Sequence, residues 1–379
     1  MDDLYDLIRR NMNSIWPVKL PKHKKILELL KLLWPTEEEA KIISVFKEPL
    51  LDQKSPSKIS KLTGIPQDRV IELCEHMAEK GVIAKNGKKF AMFPPAPGIM
   101  DYYFISKSDS EENLEKVAKL WLEIESSGLA NEIGSSTYPL FRTLPASSLP
   151  QKLTKDIEIN QQLEVQHEIL MFEDVERYIK EAKSIRLVNC VCRTYHALAG
   201  EPACTKPVDI CIYLNMGSDL AKALNLGREI TQEEALDLVK LAEDNGLVHT
   251  IINGSSPDTA SVICNCCTCH CSILGALIKY NNPHALARSN FRPQLLPSNC
   301  KKCEKCIQIC PMKALWHHWP HKEDLSDDFL LLKEERCIGC GLCAHHCPNN
   351  AIFMKKVTND IPADNLAGLL QKADSNRLH

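Results

Sequence analysis

Residues 300 to 311 read C-x2-C-x2-C-x3-C-P, and residues 337 to 348 repeat the pattern 37 positions later. Nothing else constrains the fold of this chain so strongly, because the sulfurs of each run have to converge. The first run supplies Cys300, Cys303, Cys306 and Cys310, closed by Pro311; the second supplies Cys337, Cys340, Cys343 and Cys347, closed by Pro348. A two-residue gap lets successive thiolates of a tight loop face one point. The three-residue gap sets the fourth a short helical step away, and the proline turns the chain after it. Thiolates are soft ligands for iron–sulfur clusters and zinc. Zinc sites favour paired C-x2-C units with a longer spacer. Two identical four-cysteine runs fit clusters better.

The repeat extends past the ligands, since Met312-Lys313-Ala314-Leu315 matches Asn349-Asn350-Ala351-Ile352. Residues 336 to 352, RCIGCGLCAHHCPNNAI, resemble the second half of a bacterial two-cluster ferredoxin, and the resemblance covers roughly residues 292 to 356. In that family the fourth cysteine of each run serves the other cluster. The resemblance therefore implies one [4Fe–4S] cluster on Cys300, Cys303, Cys306 and Cys347, and a second on Cys337, Cys340, Cys343 and Cys310. Gly339 and Gly341 lack a Cβ, so their backbone can approach the inorganic sulfurs closely. The chain departs from the family in the 26 residues between Cys310 and Cys337, which include Trp316, His317, His318, Trp319, Pro320 and His321. They predict an extended inter-cluster loop that is solvated or faces a partner, with a histidine metal site as the alternative.

At 379 residues the chain has room for two or three domains. The net charge of −3 provides no field favouring nucleic acid. No apolar run reaches the length needed to cross a bilayer. The opening MDDLYDLIRRN is acidic where a secretory leader is basic and then apolar, which predicts a cytoplasmic protein. Eighteen cysteines clustered in such a chain point to metal rather than disulfides. Several clusters imply oxygen sensitivity and an anaerobic host.

Residues 55 to 93 predict helix, turn, helix and hairpin. Ser55-Pro56 starts a helix that ends at Gly64. A second runs from Pro66 to Lys80, with Val70, Leu73, Cys74 and Met77 on one face. The Asn86-Gly87 turn lies between Val82-Ile83-Ala84 and Phe90-Ala91-Met92-Phe93. The order resembles a winged helix-turn-helix. Its second helix carries Asp68, Glu72, Glu75 and Glu79, which phosphates repel, and only Lys85, Lys88 and Lys89 on the wing suit a nucleic-acid backbone. A docking, dimerising or structural role fits better. Residues 22 to 46 read as two helices around Trp34-Pro35, and residues 111 to 126 as a charged helix. Residues 127 to 160 read as an extended connection.

Nine further cysteines lie in the middle: Cys190, Cys192, Cys204, Cys211, Cys264, Cys266, Cys267, Cys269 and Cys271. Arg186-Leu187-Val188-Asn189 and Ser261-Val262-Ile263 read as strands running into Cys190 and Cys264. If the strands continue, Cys190 and Cys192 share one face, as do Cys264 and Cys266, while Cys267 points away. Thr231-x-x-Glu234 opens a helix ending near Gly246, and a strand follows from Leu247 to Ile252. The outcome is a small α/β unit with a metal centre, an additional iron–sulfur cluster by first choice. Nine thiols also allow two centres, a larger cluster, zinc, or a dithiol–disulfide pair. The preferred ligands are Cys190, Cys204, Cys211 and Cys267, followed by Cys192, Cys264, Cys266, Cys269 and Cys271. Arg193, His196 and His270 stand beside them. The segment is similar to cysteine-rich modules fused to two-cluster ferredoxins in uncharacterised proteins of anaerobes. Gly254 and Gly275 stand alone, and no phosphate-binding loop for a flavin or nicotinamide is recognisable.

The reading is an α+β multidomain protein: a winged-helix-like domain over residues 1–100, helix and linker over 101–164, the cysteine-rich α/β domain over 165–290, the two-cluster ferredoxin domain over 291–360, and a tail over 361–379. Its expected function is single-electron transfer, as a protein or subunit of an anaerobic redox complex, rather than stand-alone catalysis. The expected partner is a flavoprotein or another iron–sulfur subunit, and a homo-oligomer is compatible. Two other readings are a redox-responsive winged-helix regulator and a reductase whose active centre is the middle cysteine cluster.

Overall fold

The computed structural model describes residues 2–147, 172–318 and 329–378. The N-terminal third is helical: α1 (Asp2–Met12), α2 (Lys24–Leu33), α3 (Glu37–Ser44), α4 (Pro56–Thr63) and α5 (Gln67–Glu79). Local chemistry sets these ends. The Thr36 hydroxyl and the Glu39 carboxylate close a capping box on α3. The Ser55 hydroxyl accepts from the Lys58 amide, Pro56 fills the first turn of α4, and Gly64 ends it at φ +76°. The hairpin of β1 (Ala84–Asn86) and β2 (Lys89–Ala91) pairs Asn86 with Lys89. Its turn is therefore Gly87-Lys88, one position later than the Asn-Gly signal suggests. Cys74 is fully buried on the inner face of α5.

The chain then runs through α6 (Met100–Ser106), α7 (Glu111–Ile124) and α8 (Ala130–Ile133). One continuous apolar core runs from Tyr5 and Trp34 through Trp121 to Cys211 and Leu369.

Six strands form the middle sheet: β3 (Phe141–Leu144), β4 (Ile185–Asn189), β5 (Asp209–Leu214), β6 (Arg228–Glu229), β7 (Val248–Ile252) and β8 (Val262–Cys266). Their order is β3-β7-β8-β5-β4-β6, with every neighbouring pair antiparallel. β3 lies within the stretch read as an extended connection. Its Phe141 pairs with Ile252 at the sheet edge, and this long-range pairing left no local signal. The remainder of that stretch, from residue 148, lies outside the described residues. α9 (Val175–Lys180) and α12 (Gln232–Asp244) cover one face of the sheet through Tyr178, Ile179, Ala235 and Val239. The helices α10 (Val191–Leu198), α11 (Asn215–Ala223) and α13 (Ser272–Ile278) complete this region. α10 packs against α6 and α7, and α11 against β1 of the hairpin.

The C-terminal region opens with β9 (Phe291–Leu295) and closes its sheet with β12 (Ile352–Lys356), paired antiparallel from Leu295–Ile352 to Phe291–Lys356. Between them lie α14 (Lys305–Ile309), β10 (Leu315–His318), β11 (Phe329–Leu332) and α15 (Leu342–His345). β10 pairs with β11, so the expected inter-cluster loop is flanked by a hairpin. Trp319, Pro320 and His321 lie outside the described residues. The last segment, expected as a tail, contains α16 (Leu366–Ser375). Its Leu369 and Ala373 are buried at helical spacing, and Arg377 donates to the Pro17 carbonyl at 2.8 Å.

Candidate metal centres

The two cysteine runs build two cavities, and each takes three thiols from one run and one from the other. Cys300, Cys303, Cys306 and Cys347 line a cavity of about 380 Å3, together with Leu295, Ala351 and Ile352. Cys310, Cys337, Cys340 and Cys343 line one of about 340 Å3 with Met312, Leu315, Ile338 and Met354. The crossing follows from the fold. α14 and α15 pack side by side, and each places the end of its run beside the start of the other. Gly339 adopts φ +73° where a Cβ would stand 2.1 Å from Ser289 Oγ and 2.5 Å from the Phe291 carbonyl. The close approach at this glycine is thus to the chain leading into β9.

The donor sets suit a thiolate-ligated cluster. The Ala314 amide donates to Cys310 Sγ and the Ala351 amide to Cys347 Sγ, each at 3.2 Å. Backbone amides at Ile307, Gly339 and Leu342 serve Cys306, Cys337 and Cys340. Such bonds favour the charged sulfur. Burial opposes them, pushing the Cys306 thiol up to about 11 and Cys340 to about 12. Ionisation of these thiols therefore has to come with a metal that displaces the protons. The thiols of the first cavity are the more exposed: Cys303 faces solvent, and Lys301, Lys302 and Lys305 stand at the rim. In the second, Cys337 and Cys343 are buried.

The nine middle cysteines fall into two groups. Six neighbour one another in a closed ring: Cys190 lies beside Cys192 and Cys211, Cys211 beside Cys264, Cys264 beside Cys266, Cys266 beside Cys271, and Cys271 beside Cys192. Strand alternation brings Cys211, Cys264 and Cys266 to one face of the sheet. Cys266 also meets Thr250 Oγ1 on β7 at 3.3 Å. Strand β4 stops at Asn189, so Cys190 and Cys192 are not alternating strand residues. Cys190 caps α10, and Cys192 lies in its first turn. The other group is Cys204, Cys267 and Cys269 with His270. The four preferred ligands are split, Cys190 and Cys211 in the ring and Cys204 and Cys267 in the second group.

Polar residues surround the ring. Arg193 is 3 % exposed and donates to the carbonyls of Pro207 at 2.7 Å and Asn265 at 3.0 Å. Glu125 accepts from Ser272 Oγ at 2.6 Å and from the Tyr195 hydroxyl at 2.9 Å, and Ser272 Oγ lies 3.6 Å from Cys192 Sγ. Burial pushes the carboxyls of Glu125 and Asp101 up to about 7. Asp101 lies in α6 and Glu125 directly after the last residue of α7, the helices that roof this face, and sequence reasoning missed them. Only the tertiary packing brings residues 101 and 125 to residue 192.

The second cavity and the ring are linked through the sheet edge. The Ala146 amide, just past β3, donates to the Cys340 carbonyl at 3.0 Å. At the end of α12, Glu243 is 1 % exposed. It contacts His249 Nε2 at 3.2 Å and His345 Nδ1 at 3.3 Å, and accepts from the Ser147 amide. His346 Nε2 donates to the Glu243 carbonyl at 2.9 Å.

This geometry defines the C-terminal segment as a 4Fe-4S ferredoxin domain. The 4Fe-4S binding domain family matches residues 332–353. An uncharacterized ferredoxin of Methanocaldococcus jannaschii is 40 % identical over 62 residues, 16 % of this chain and 36 % of the relative. A second ferredoxin of that organism is 32 % identical over 93 residues, 24 % of this chain and 51 % of the relative. Hydrogenase-4 component A of Escherichia coli is 34 % identical over 91 residues, 24 % of this chain and 40 % of the relative. The chain thus spans about a third to a half of the length of these relatives. No solved structure matches it significantly. Among the described residues, no helix is long and apolar enough to cross a membrane.

Proposed function

We propose that this chain is an iron–sulfur electron-transfer protein, or a subunit of a cytoplasmic redox complex in an anaerobe. It passes single electrons through two [4Fe–4S] clusters to or from a third iron–sulfur centre on the ring of Cys190, Cys192, Cys211, Cys264, Cys266 and Cys271. The observation that carries the reading is the pair of four-thiol cavities, each drawn from both runs. When bound, the clusters supply one-electron oxidation and reduction. The names of the relatives, ferredoxins and a hydrogenase component, agree with it.

The chain's residues support a path between the surface and the ring. The first cavity opens to solvent beside exposed lysines, which suits docking of an acidic flavoprotein or iron–sulfur partner. The second leans on the end of β3 through the Ala146–Cys340 bond. Only β7 separates β3 from β8, which carries Cys264 and Cys266, a lateral span of about 10 Å at ordinary strand spacing. The six-thiol ring offers more donors than one cubane takes, so it can hold a cubane or a larger cluster.

The N-terminal winged-helix-like unit serves as platform and docking element. Its hairpin packs on α11, and Lys85 is engaged by Glu75 at 2.5 Å. Arg69 of α5 is paired with Glu38 at 3.0 Å and Glu72 at 2.8 Å. These contacts neutralise Arg69 and Lys85, two of the basic groups that a nucleic-acid role would use. Anoxic purification with iron and sulfide counting, plus EPR of the reduced protein, tests the proposal. About twelve irons would support three centres if the third is a cubane. About eight would restrict the clusters to the C-terminal domain, and iron-free folded protein would refute the proposal.

A further inference from the structure

We propose that Cys204, Cys267, Cys269 and His270 form a separate mononuclear zinc site, which clasps the loop before β5 onto the turn that follows β8. This goes beyond electron transfer, because a zinc ion carries no electrons and the proposed wiring does not use it.

The partition begins with the strand. Cys264 and Cys266 point to the ring face of β8, and Cys267 lies just past its end, in contact with Cys269 rather than with the ring. Cys204 Sγ lies 3.3 Å from Cys269 Sγ and 4.0 Å from Cys267 Sγ. With His270, all four ligand atoms fall within 4.8 Å of one another. A tetrahedral zinc with Zn–S bonds of about 2.3 Å sets its sulfurs about 3.8 Å apart. A cubane instead holds its thiolates at the corners of a multi-atom core, so they stand farther apart. The eight ferredoxin thiols form no such close group, nor does the six-thiol ring; among the described residues this set stands alone.

His270 is prepared as a ligand. Its Nε2 lies 3.0 Å from the Pro202 carbonyl, an acceptor, so Nε2 carries the proton and Nδ1 the lone pair. Nδ1 is buried and has no hydrogen-bond partner. A histidine held by a backbone carbonyl through one nitrogen, with the other free, is how proteins orient imidazole toward a metal. The His270 amide serves Cys267 Sγ as well. Three thiolates and a divalent ion leave one negative charge. The buried Arg193 guanidinium lies beside Cys190, Cys267, Cys211 and Cys204, and its hydrogen-bond partners are the carbonyls of Pro207 and Asn265, with no carboxylate among the described residues in an ion pair with it. A buried cation without a carboxylate needs an anion of this kind. Four protein donors close the coordination sphere, the form of a structural site.

The test uses the full chain, purified anoxically, with zinc and iron measured by mass spectrometry and zinc K-edge absorption. The expected result is one zinc per chain, bound by three sulfurs at about 2.3 Å and one nitrogen at about 2.0 Å. Cys204→Ala should remove the zinc and leave the iron count unchanged. His270→Cys should retain zinc and convert its shell to four sulfurs, an outcome that misfolding cannot imitate. Trace zinc in the wild-type chain, loss of iron rather than zinc from Cys204→Ala, or an unaltered zinc shell in His270→Cys would each overturn the site. Failure of the electron-transfer reading is seen separately, in the iron count and EPR.

Discussion

A single cysteine's role here depends on what folds opposite it. Cys347 belongs to the second run but lines the cavity of the first, and Cys310 does the reverse. Cys347→Ser should therefore impair the cluster of Cys300, Cys303 and Cys306, and Cys310→Ser that of Cys337, Cys340 and Cys343. Spin integration and redox titration of the reduced variants would check this; if each lesion followed its own run, the crosswise assignment would fail. The runs and the family resemblance predict these groupings from sequence. The place of Cys192 in the ring was not legible there, because its helical position appears only once β4 ends at Asn189. The buried carboxyl of Glu125 gave no sequence signal at all. It directly follows a charged amphipathic helix, and only packing separates it from its exposed neighbours.

At the scale of elements, the end of α12 joins the middle sheet to the ferredoxin domain. Burial would push the Glu243 carboxyl up, but the hydrogen bond and charge of His249, with the Ser147 amide and His345, hold it below its ordinary value. Its contribution is therefore complete above the ordinary carboxylate pKa of about 4.3 and is lost as pH falls through the lower folded value. Glu243→Gln removes the anion but keeps the shape. We expect a loss of about 3 kcal/mol, since breaking a buried pair leaves its partners uncompensated. Accelerated proteolysis between the middle and C-terminal domains should accompany the loss. A variant as stable and as protease-resistant as the wild type would count against this joint. The helix itself was legible through its Thr231–Glu234 capping box. Its role as a joint depends on residues about 100 positions away in sequence.

For the whole molecule, the asymmetry between a first cavity with an exposed thiol, Cys303, and a second with Cys337 and Cys343 buried predicts where a partner docks. Lys301→Glu with Lys305→Glu should slow reduction by an acidic flavodoxin-type donor by about tenfold or more at low ionic strength, with the difference shrinking as salt screens the surface. Stopped-flow reduction at several salt concentrations would measure it. Equal rates, or a salt-independent defect, would exclude this face as the port. The variants leave all eight ferredoxin cysteines in place, so a drop in iron content would signal lost assembly instead.

The amino-acid sequence determined the local grammar of this protein. Cysteine spacing, capping residues and apolar periodicity act within about a dozen residues, so the two cysteine runs, α4, α5 and the β1–β2 hairpin could all be read from it. Tertiary structure decided which distant groups meet. It brought β3 to the sheet edge, folded residues 366–375 as a packed helix, and divided nine thiols between a six-membered ring and a tight group of three with one imidazole. The physical reason is that side-chain direction along a strand has a period of two. A strand ending one residue earlier or later sends a sulfur to a different site, and long-range pairing fixes where that end falls.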